Sequence, residues 1–388
     1  MASPCEISYQ VDKTMIHILF LIPNLGHGGA EKVLVNLVNN MDRLKYDITL
    51  MTLYDEGINK ESLASYIHYK TCFKRSFPGV SHILKLFSPE FLYRRLVGER
   101  YDIVISYLEG QTARIVSGCT DSTTQKICWI HRTMTSLEDA ARLFRNVEEA
   151  RKCYSSFDKI VSVSKDVQTA FMNLFRLDAK GVVVYNTNET DKILEMATKK
   201  IESDFFTSNE FKICAMGSLY PVKGFDRLLN VHKRLRDKGY MVHTYVLGEG
   251  VEREQLVKQA KQFGVEDSFS LLGYHKNPYA YMKQCDLFVC SSKSEGFSTA
   301  VTEALILGIP VVTTMVSGMT ELLGENQEYG IVVQNDEESL FQGIVAILSD
   351  QKLLAHYQEQ AAIRGKDFMT KKTVEETQRL FGTKREEK

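Results

Sequence analysis

Residues 291–308 read Ser-Ser-Lys-Ser-Glu-Gly-Phe-Ser-Thr-Ala-Val-Thr-Glu-Ala-Leu-Ile-Leu-Gly. Two carboxylates, Glu295 and Glu303, stand eight residues apart around a Gly-Phe-Ser turn. Ser298 is a good N-cap type and Gly308 is placed to end a helix, so Glu303 falls in its second turn. Such a helix start presents the N–H groups of Gly296, Phe297 and Ser298, where the helix dipole adds about half a positive charge. Carboxylates suit sugar hydroxyls, and a helix start suits a diphosphate. The commoner explanation is a solvated loop glutamate and a helix-surface glutamate. Glu303 speaks against it, because Ala300, Val301, Ala304 and Leu305 hem it in.

A second loop, Gly217-Ser218-Leu219-Tyr220-Pro221-Val222-Lys223-Gly224, also follows a strand-like run. A lysine in a loop bounded by glycines reaches a phosphate as a point charge. One lysine alone is ordinarily a solvated one, and the two loops become specific only together. A third glycine-rich turn, Gly26-His27-Gly28-Gly29-Ala30-Glu31, is not GxGxxG, because Glu31 stands at the third glycine position. Asp55 follows the second strand, as a dinucleotide site requires, so a nicotinamide site and a ligand-free tight turn both fit here.

These loops need elements to hold them. Strands are expected at Met15–Ile22, Tyr46–Leu53, Ile103–Tyr107, Lys126–Ile130, Lys159–Val163 and Val182–Tyr185, with helical stretches between several of them. The helix from Glu31 to Met41 carries Val33, Leu34, Leu37, Val38 and Met41 at helical spacing. The pattern restarts with strands at Phe211–Met216, Met241–Leu247, Ser268–Leu272, Leu287–Cys290 and Pro310–Thr314, separated by helices over 225–238, 252–263, 298–307 and 337–349. Alternating strands and helices imply parallel sheets covered on both faces. Two α/β units are therefore expected, 1–188 and 189–370, with a terminal helical segment over 371–388 that joins the first. Open parallel sheets bind ligands beyond the carboxyl ends of their strands, which places the ligand in a cleft between the units.

Several chemistries lack their motifs. There is no GxxxxGK[ST] loop, no HExxH, no GxSxG and no Asp-x-Asp pair. The nine histidines are scattered, and no metal site is expected. Lys plus Arg is 48 against 49 for Asp plus Glu, a net charge of −1, so no nucleic-acid partner is expected. The eight cysteines include no CxxC pair and read as reduced thiols of a cytosolic protein. No apolar run approaches the roughly 20 residues that span a bilayer. The N-terminus has neither a basic nor an apolar region of the signal-peptide kind.

Gly28-Gly29-Ala30-Glu31, Gly217…Lys223-Gly224, Gly248-Glu249-Gly250, Asn277-Pro278-Tyr279 and Glu295-Gly296-Phe297…Glu303-Ala304 occur in the order and spacing of family 4 of the retaining glycosyltransferases. The chain resembles that family over roughly residues 15–370. The resemblance implies the GT-B architecture, two facing Rossmann-like doubly wound domains with an interdomain cleft. It also implies transfer of a hexose-type sugar from a nucleoside diphosphate sugar, UDP being commonest, to a glycan or lipid-linked acceptor with an α linkage. No cofactor is implied, since the nucleotide sugar is a substrate.

By the same resemblance, Glu303 holds the ribose hydroxyls and Glu295 sits by the transferred sugar. Lys223 with the backbone of Gly296, Phe297 and Ser298 holds the diphosphate. Leu272 and Tyr274 frame the base, and Gly248 to Gly250 borders that pocket. Gly28 and Gly29 let the N-terminal loop approach the sugar-phosphate, and His131 lines the sugar site. Asn186 matches an interdomain asparagine, although the family's following proline is Thr187 here. Many members carry an arginine where this chain has Ser218, so Lys223 carries more of the charge neutralisation, or another cation contributes. Impaired catalysis is the alternative. That departure keeps a non-catalytic nucleotide-sugar-binding protein open, and a nucleotide-sugar epimerase of the same fold is the rival among enzymes.

Residues 70–100 hold seven cations (Lys70, Lys74, Arg75, Lys85, Arg94, Arg95 and Arg100) against Glu90 and Glu99, interleaved with aromatic and aliphatic side chains. One reading is a surface that rests on anionic lipid at the inner face of a membrane, near a lipid-linked acceptor. Ordinary amphipathic helices with a solvated basic face are the other.

Overall fold

The computed structural model describes residues 15–26, 28–177, 180–201 and 209–382. Seven strands form the first sheet: β1 (Ile16–Ile22), β2 (Tyr46–Tyr54), β3 (His68–Phe73), β4 (Ile103–Ser106), β5 (Gln125–Ile130), β6 (Lys159–Ser162) and β7 (Gly181–Val183). Six form the second: β8 (Phe211–Met216), β9 (Val242–Leu247), β10 (Phe269–Gly273), β11 (Leu287–Cys290), β12 (Val311–Thr314) and β13 (Ile331–Val333). The orders are β3-β2-β1-β4-β5-β6-β7 and β10-β9-β8-β11-β12-β13, and every pairing is parallel. Each sheet is thus a doubly wound, Rossmann-like layer. The central strands are apolar throughout because helices cover both faces; Ile18 to Ile22 is wholly buried.

In each sheet the chain order reverses beside the first strand, between β1 and β4 and between β8 and β11. A crevice opens at such a reversal because the two connections leave in opposite directions. The loops after β1, β8 and β11 are the three glycine-bearing loops singled out above.

β3 and β13 are additions to the expected strands. β3 is an edge strand with no fully buried residue, and β13 is an apolar run of only three residues, too short to stand out as a strand. The helix Gln351–Gly365, also unforeseen, packs on the helix Thr299–Ile306 of the second domain. The last helix, Thr370–Gln378, crosses back to the first domain. There the Asp42 N–H donates to Gln378 (3.2 Å), Lys159 donates to the Leu380 carbonyl (2.7 Å), and Phe381 meets Tyr46 edge-on at 5.7 Å.

The seven described cysteines are free thiols; Cys5 lies outside the described residues. No helix among the described residues is long and apolar enough to cross a membrane.

Candidate active site

The loop after β11 ends in a helix start. Ser298 is the N-cap of the helix Thr299–Ile306, its hydroxyl accepting from the Val301 N–H at 3.4 Å. Among the described residues, the N–H groups of Gly296, Phe297 and Ser298 donate to nothing. Gly308 follows the helix with φ +69°, the left-handed stop that its position suggested.

Lys223 reaches the same loop from β8. Its ammonium lies 2.6 Å from Glu295 Oε1, and the Ser292 hydroxyl donates to the same oxygen at 2.7 Å. The two loops are joined through their backbones, since the Ser291 hydroxyl donates to the Lys223 carbonyl and the Lys293 N–H to that of Val222. Gly224, at φ +65°, makes this possible: a Cβ there would sit 2.2 Å from the Ser291 carbonyl oxygen. Gly248 is constrained in the same way, with φ +142° and the Gly217 carbonyl oxygen 1.9 Å from where its Cβ would be. Ser218 is half-buried beside it. Leu272 is half-buried at the end of β10, and Tyr274 just beyond is exposed.

Glu303 is 1% exposed. Its partners are Lys32 from the first domain (2.5 Å) and Tyr279 Oη (3.1 Å), which also bond each other at 2.8 Å. Burial works against the Lys32 charge, but Glu303 and Tyr279 outweigh it and hold the ammonium above its ordinary range. Burial and the neighbouring carboxylate push the Tyr279 phenol up. The Lys32 side chain is 39% exposed against 2% for Glu303, so water screens the pair from the lysine side only.

The two domains touch along this loop. Ser164 donates to the Gly296 carbonyl at 3.2 Å, Asn186 to that of Phe297 at 3.5 Å, and Tyr185 stacks on Phe297 at 5.0 Å. Tyr185 and the Lys165 N–H both bond Glu321, at 2.5 and 2.8 Å. Gly29, at the start of the helix Gly29–Asn40, faces Thr299, and a Cβ on it would stand 3.4 Å from the threonine hydroxyl. Two helix starts therefore meet across the junction. Gly28 is covered by the carboxylate of Glu31, a flexible neighbour, whose own pKa is raised by burial.

His131 follows β5, with its backbone carbonyl against Gly296. Its ring lies 4.9 Å from Tyr107, and Nε2 is buried without a partner among the described residues. Burial lowers its pKa to about 3, opposed by a backbone hydrogen bond at Tyr107. The ring is therefore neutral at physiological pH and offers no imidazolium charge. Glu109, just after β4, accepts from the His131 N–H at 3.0 Å and faces Arg132 at 3.3 Å; burial pushes its carboxyl up.

His232, between Thr244 and Ser268 in the second domain, is also lowered to about 3, chiefly by burial. A histidine whose folded pKa lies below its unfolded value of about 6.5 stabilises the fold fully above that pH and loses the contribution as pH falls towards the folded value. In His232→Gln, the slope of unfolding free energy against pH should flatten by about one proton between about pH 4 and pH 6. Urea melts at several pH values measure this, and an unchanged slope would contradict the neutral assignment.

Lys32, Tyr279 and Glu109 carry no role in the sequence reading. Lys32 and Glu303 are 271 residues apart, so only the fold brings them together. The one available signal was a lysine placed one helical turn beyond Gly28-Gly29.

Comparison with known proteins adds to this geometry. The model of the Glycosyltransferase Family 4 domain matches residues 27–192, and that of Glycosyl transferases group 1 matches residues 197–364. N-acetylgalactosamine-N,N'-diacetylbacillosaminyl-diphospho-undecaprenol 4-alpha-N-acetylgalactosaminyltransferase of Campylobacter jejuni is 29% identical, over 89% of this chain and 94% of its own. The amylovoran biosynthesis glycosyltransferase AmsD of Erwinia amylovora is 24% identical, over 84% and 88%. Among solved structures, Anabaena HepE in complex with UDP-glucose superposes with a TM-score of 0.74 at 18% identity, covering 94% of this chain and all of that one.

Proposed function

The chain belongs to family 4 of the glycosyltransferases, with the GT-B fold, and from that premise we propose that it moves a hexose-type sugar from UDP to a glycan or lipid-linked acceptor, keeping the α configuration, in polysaccharide or glycoconjugate assembly. One observation carries the reading: the Lys223 ammonium and the undonated N–H groups of Gly296, Phe297 and Ser298 sit on adjoining loops at the reversal point of the second sheet. Together they are built for a diphosphate, with no divalent ion required. The names of relatives support the substrate classes. The Campylobacter enzyme is named for a diphospho-undecaprenol acceptor, and HepE was solved with UDP-glucose.

In this mechanism the diphosphate takes Lys223 from Glu295, and the released carboxylate accepts from hydroxyls of the sugar. Glu303 holds the ribose hydroxyls; Leu272 and Tyr274 frame the base beside Gly248. Gly28 and Gly29 bring the opposing helix start to the sugar-phosphate. His131, neutral, offers Nε2 to a sugar hydroxyl. The C1–O bond to the β-phosphate breaks as the bond from C1 to the acceptor oxygen forms on the same face. The acceptor proton passes to the departing phosphate oxygen. Charge grows on the diphosphate as that bond breaks, so the lysine and the amides stabilise the transition state more than the bound donor. The interdomain contacts around Gly296 and Phe297 exclude water from the sugar and so suppress hydrolysis.

Incubation with a panel of nucleotide sugars and a lipid-linked glycan acceptor, with and without EDTA, tests this. The expected result is acceptor-dependent product with UDP-hexoses at a rate that chelator leaves unchanged. Activity lost to EDTA and restored by magnesium would contradict it.

The 70–100 region supports work at the inner face of a membrane. Phe77, Ile83, Leu86, Phe87 and Phe91 are exposed, Leu86 by 75%. Lys74, Arg75, Arg94 and Arg95 of the same stretch are exposed as well. The basic set is smaller than the sequence suggested, because Lys70 is tied to Glu99, Lys85 to the Arg142 carbonyl and Arg100 to Asp121. Flotation with phosphatidylglycerol vesicles should carry the protein upward at low salt and release it at high salt. No salt-sensitive binding would remove the membrane contact.

A further inference from the structure

Glu303 belongs to the second domain, but the cation that balances it belongs to the first. Lys32 lies one turn into the helix Gly29–Asn40, and its ammonium sits 2.5 Å from Glu303 Oε1 and 2.8 Å from Tyr279 Oη. Tyr279 Oη lies 3.1 Å from the same carboxylate oxygen. Both hydrogen bonds to Glu303 thus fall on Oε1, which leaves Oε2 for another donor. If the domains part, Glu303 loses the Lys32 ammonium and keeps the Tyr279 phenol as its side-chain partner. Without the ammonium the carboxylate is held by a single hydrogen bond and is free to rotate about it.

We propose that Lys32 is a positioning residue that makes ribose recognition by Glu303 depend on closure of the two domains. Its ammonium fixes the plane of the carboxylate through Oε1, so that Oε2 meets the ribose diol. Closure and nucleotide binding then favour each other to the same extent, as linkage requires. Lys32 also answers the question raised by Ser218. It is a second cation at the donor side, and its ammonium bonds the carboxylate assigned to the ribose.

The inference rests on the ribose role of Glu303, and a binding cycle separates the two. UDP and 2′,3′-dideoxy-UDP are titrated into wild type, Lys32→Met and Lys32→Arg, with thermal melts confirming that each variant folds. Wild type should prefer UDP by about 30-fold, the worth of hydrogen bonds to a charged acceptor. Lys32→Met should bind UDP about 10-fold more weakly and prefer it over the dideoxy compound by only about 3-fold, with Lys32→Arg restoring most of the preference. A merely structural lysine would not change the ratio between the two nucleotides. The same preference in Lys32→Met as in wild type would overturn the inference while leaving the ribose assignment standing. Tighter UDP binding by Lys32→Met would also overturn it, showing that Lys32 competes with ribose. Wild type failing to distinguish the nucleotides would overturn the ribose assignment and this inference with it.

Discussion

Lys223→Ala is expected to lower kcat by about 100- to 1,000-fold, the usual effect of removing one preorganised donor from a site where charge develops. The lysine is the cation paired to Glu295 at 2.6 Å, and position 218 is a serine that brings no second charge to the loop. The remaining amides of Gly296 to Ser298 keep part of the stabilisation, so the loss is large but not total. The fold should survive, because the Lys223 side chain is 29% exposed and Ser292 still donates to Glu295 at 2.7 Å. Steady-state kinetics with saturating donor measure the effect on kcat, and circular dichroism confirms the fold. Wild-type turnover in Lys223→Ala would remove the lysine from the chemistry.

Gly296→Ala is the second large effect. A Cβ at this position would lie 2.0 Å from the His131 carbonyl oxygen and 3.0 Å from its carbon. The obstacle is backbone of the other domain, which cannot swing aside as a side chain can. Gly296 has no left-handed φ, so alanine strains nothing locally; what it prevents is the approach of the two domains. A shift of about 1 Å between reacting groups costs on the order of 100-fold in rate. Activity should therefore fall by at least about that factor. The melting temperature should stay close to wild type, because neither sheet is touched. Full activity in Gly296→Ala would show that chemistry does not need this contact.

Much of the candidate site is legible in the sequence because it is local. Glu295, the Gly-Phe-Ser turn and Glu303 lie on one strand–loop–helix unit, and Ser298 and Gly308 mark the ends of that helix by residue type alone. The central strands are legible because parallel strands buried on both faces read as continuous apolar runs. β3 escapes because an edge strand with half-buried residues shows no such run. Lys32 escapes for another reason. A lysine on an amphipathic helix reads as a solvated one until the fold sets it against a buried carboxylate 271 residues away. His131 was legible in position but not in charge, since its neutrality comes from burial beside Tyr107, which residue type does not reveal. The basic 70–100 stretch overstates its own charge for the same reason: the partners of Lys70, Lys85 and Arg100 are set by tertiary contacts.

The most direct measurement is a crystal structure of the full chain with UDP bound. The diphosphate is expected between Lys223 Nζ and the amides of Gly296, Phe297 and Ser298, with the ribose hydroxyls on Glu303. A diphosphate held elsewhere, or bridged to the protein through a divalent ion, would contradict it.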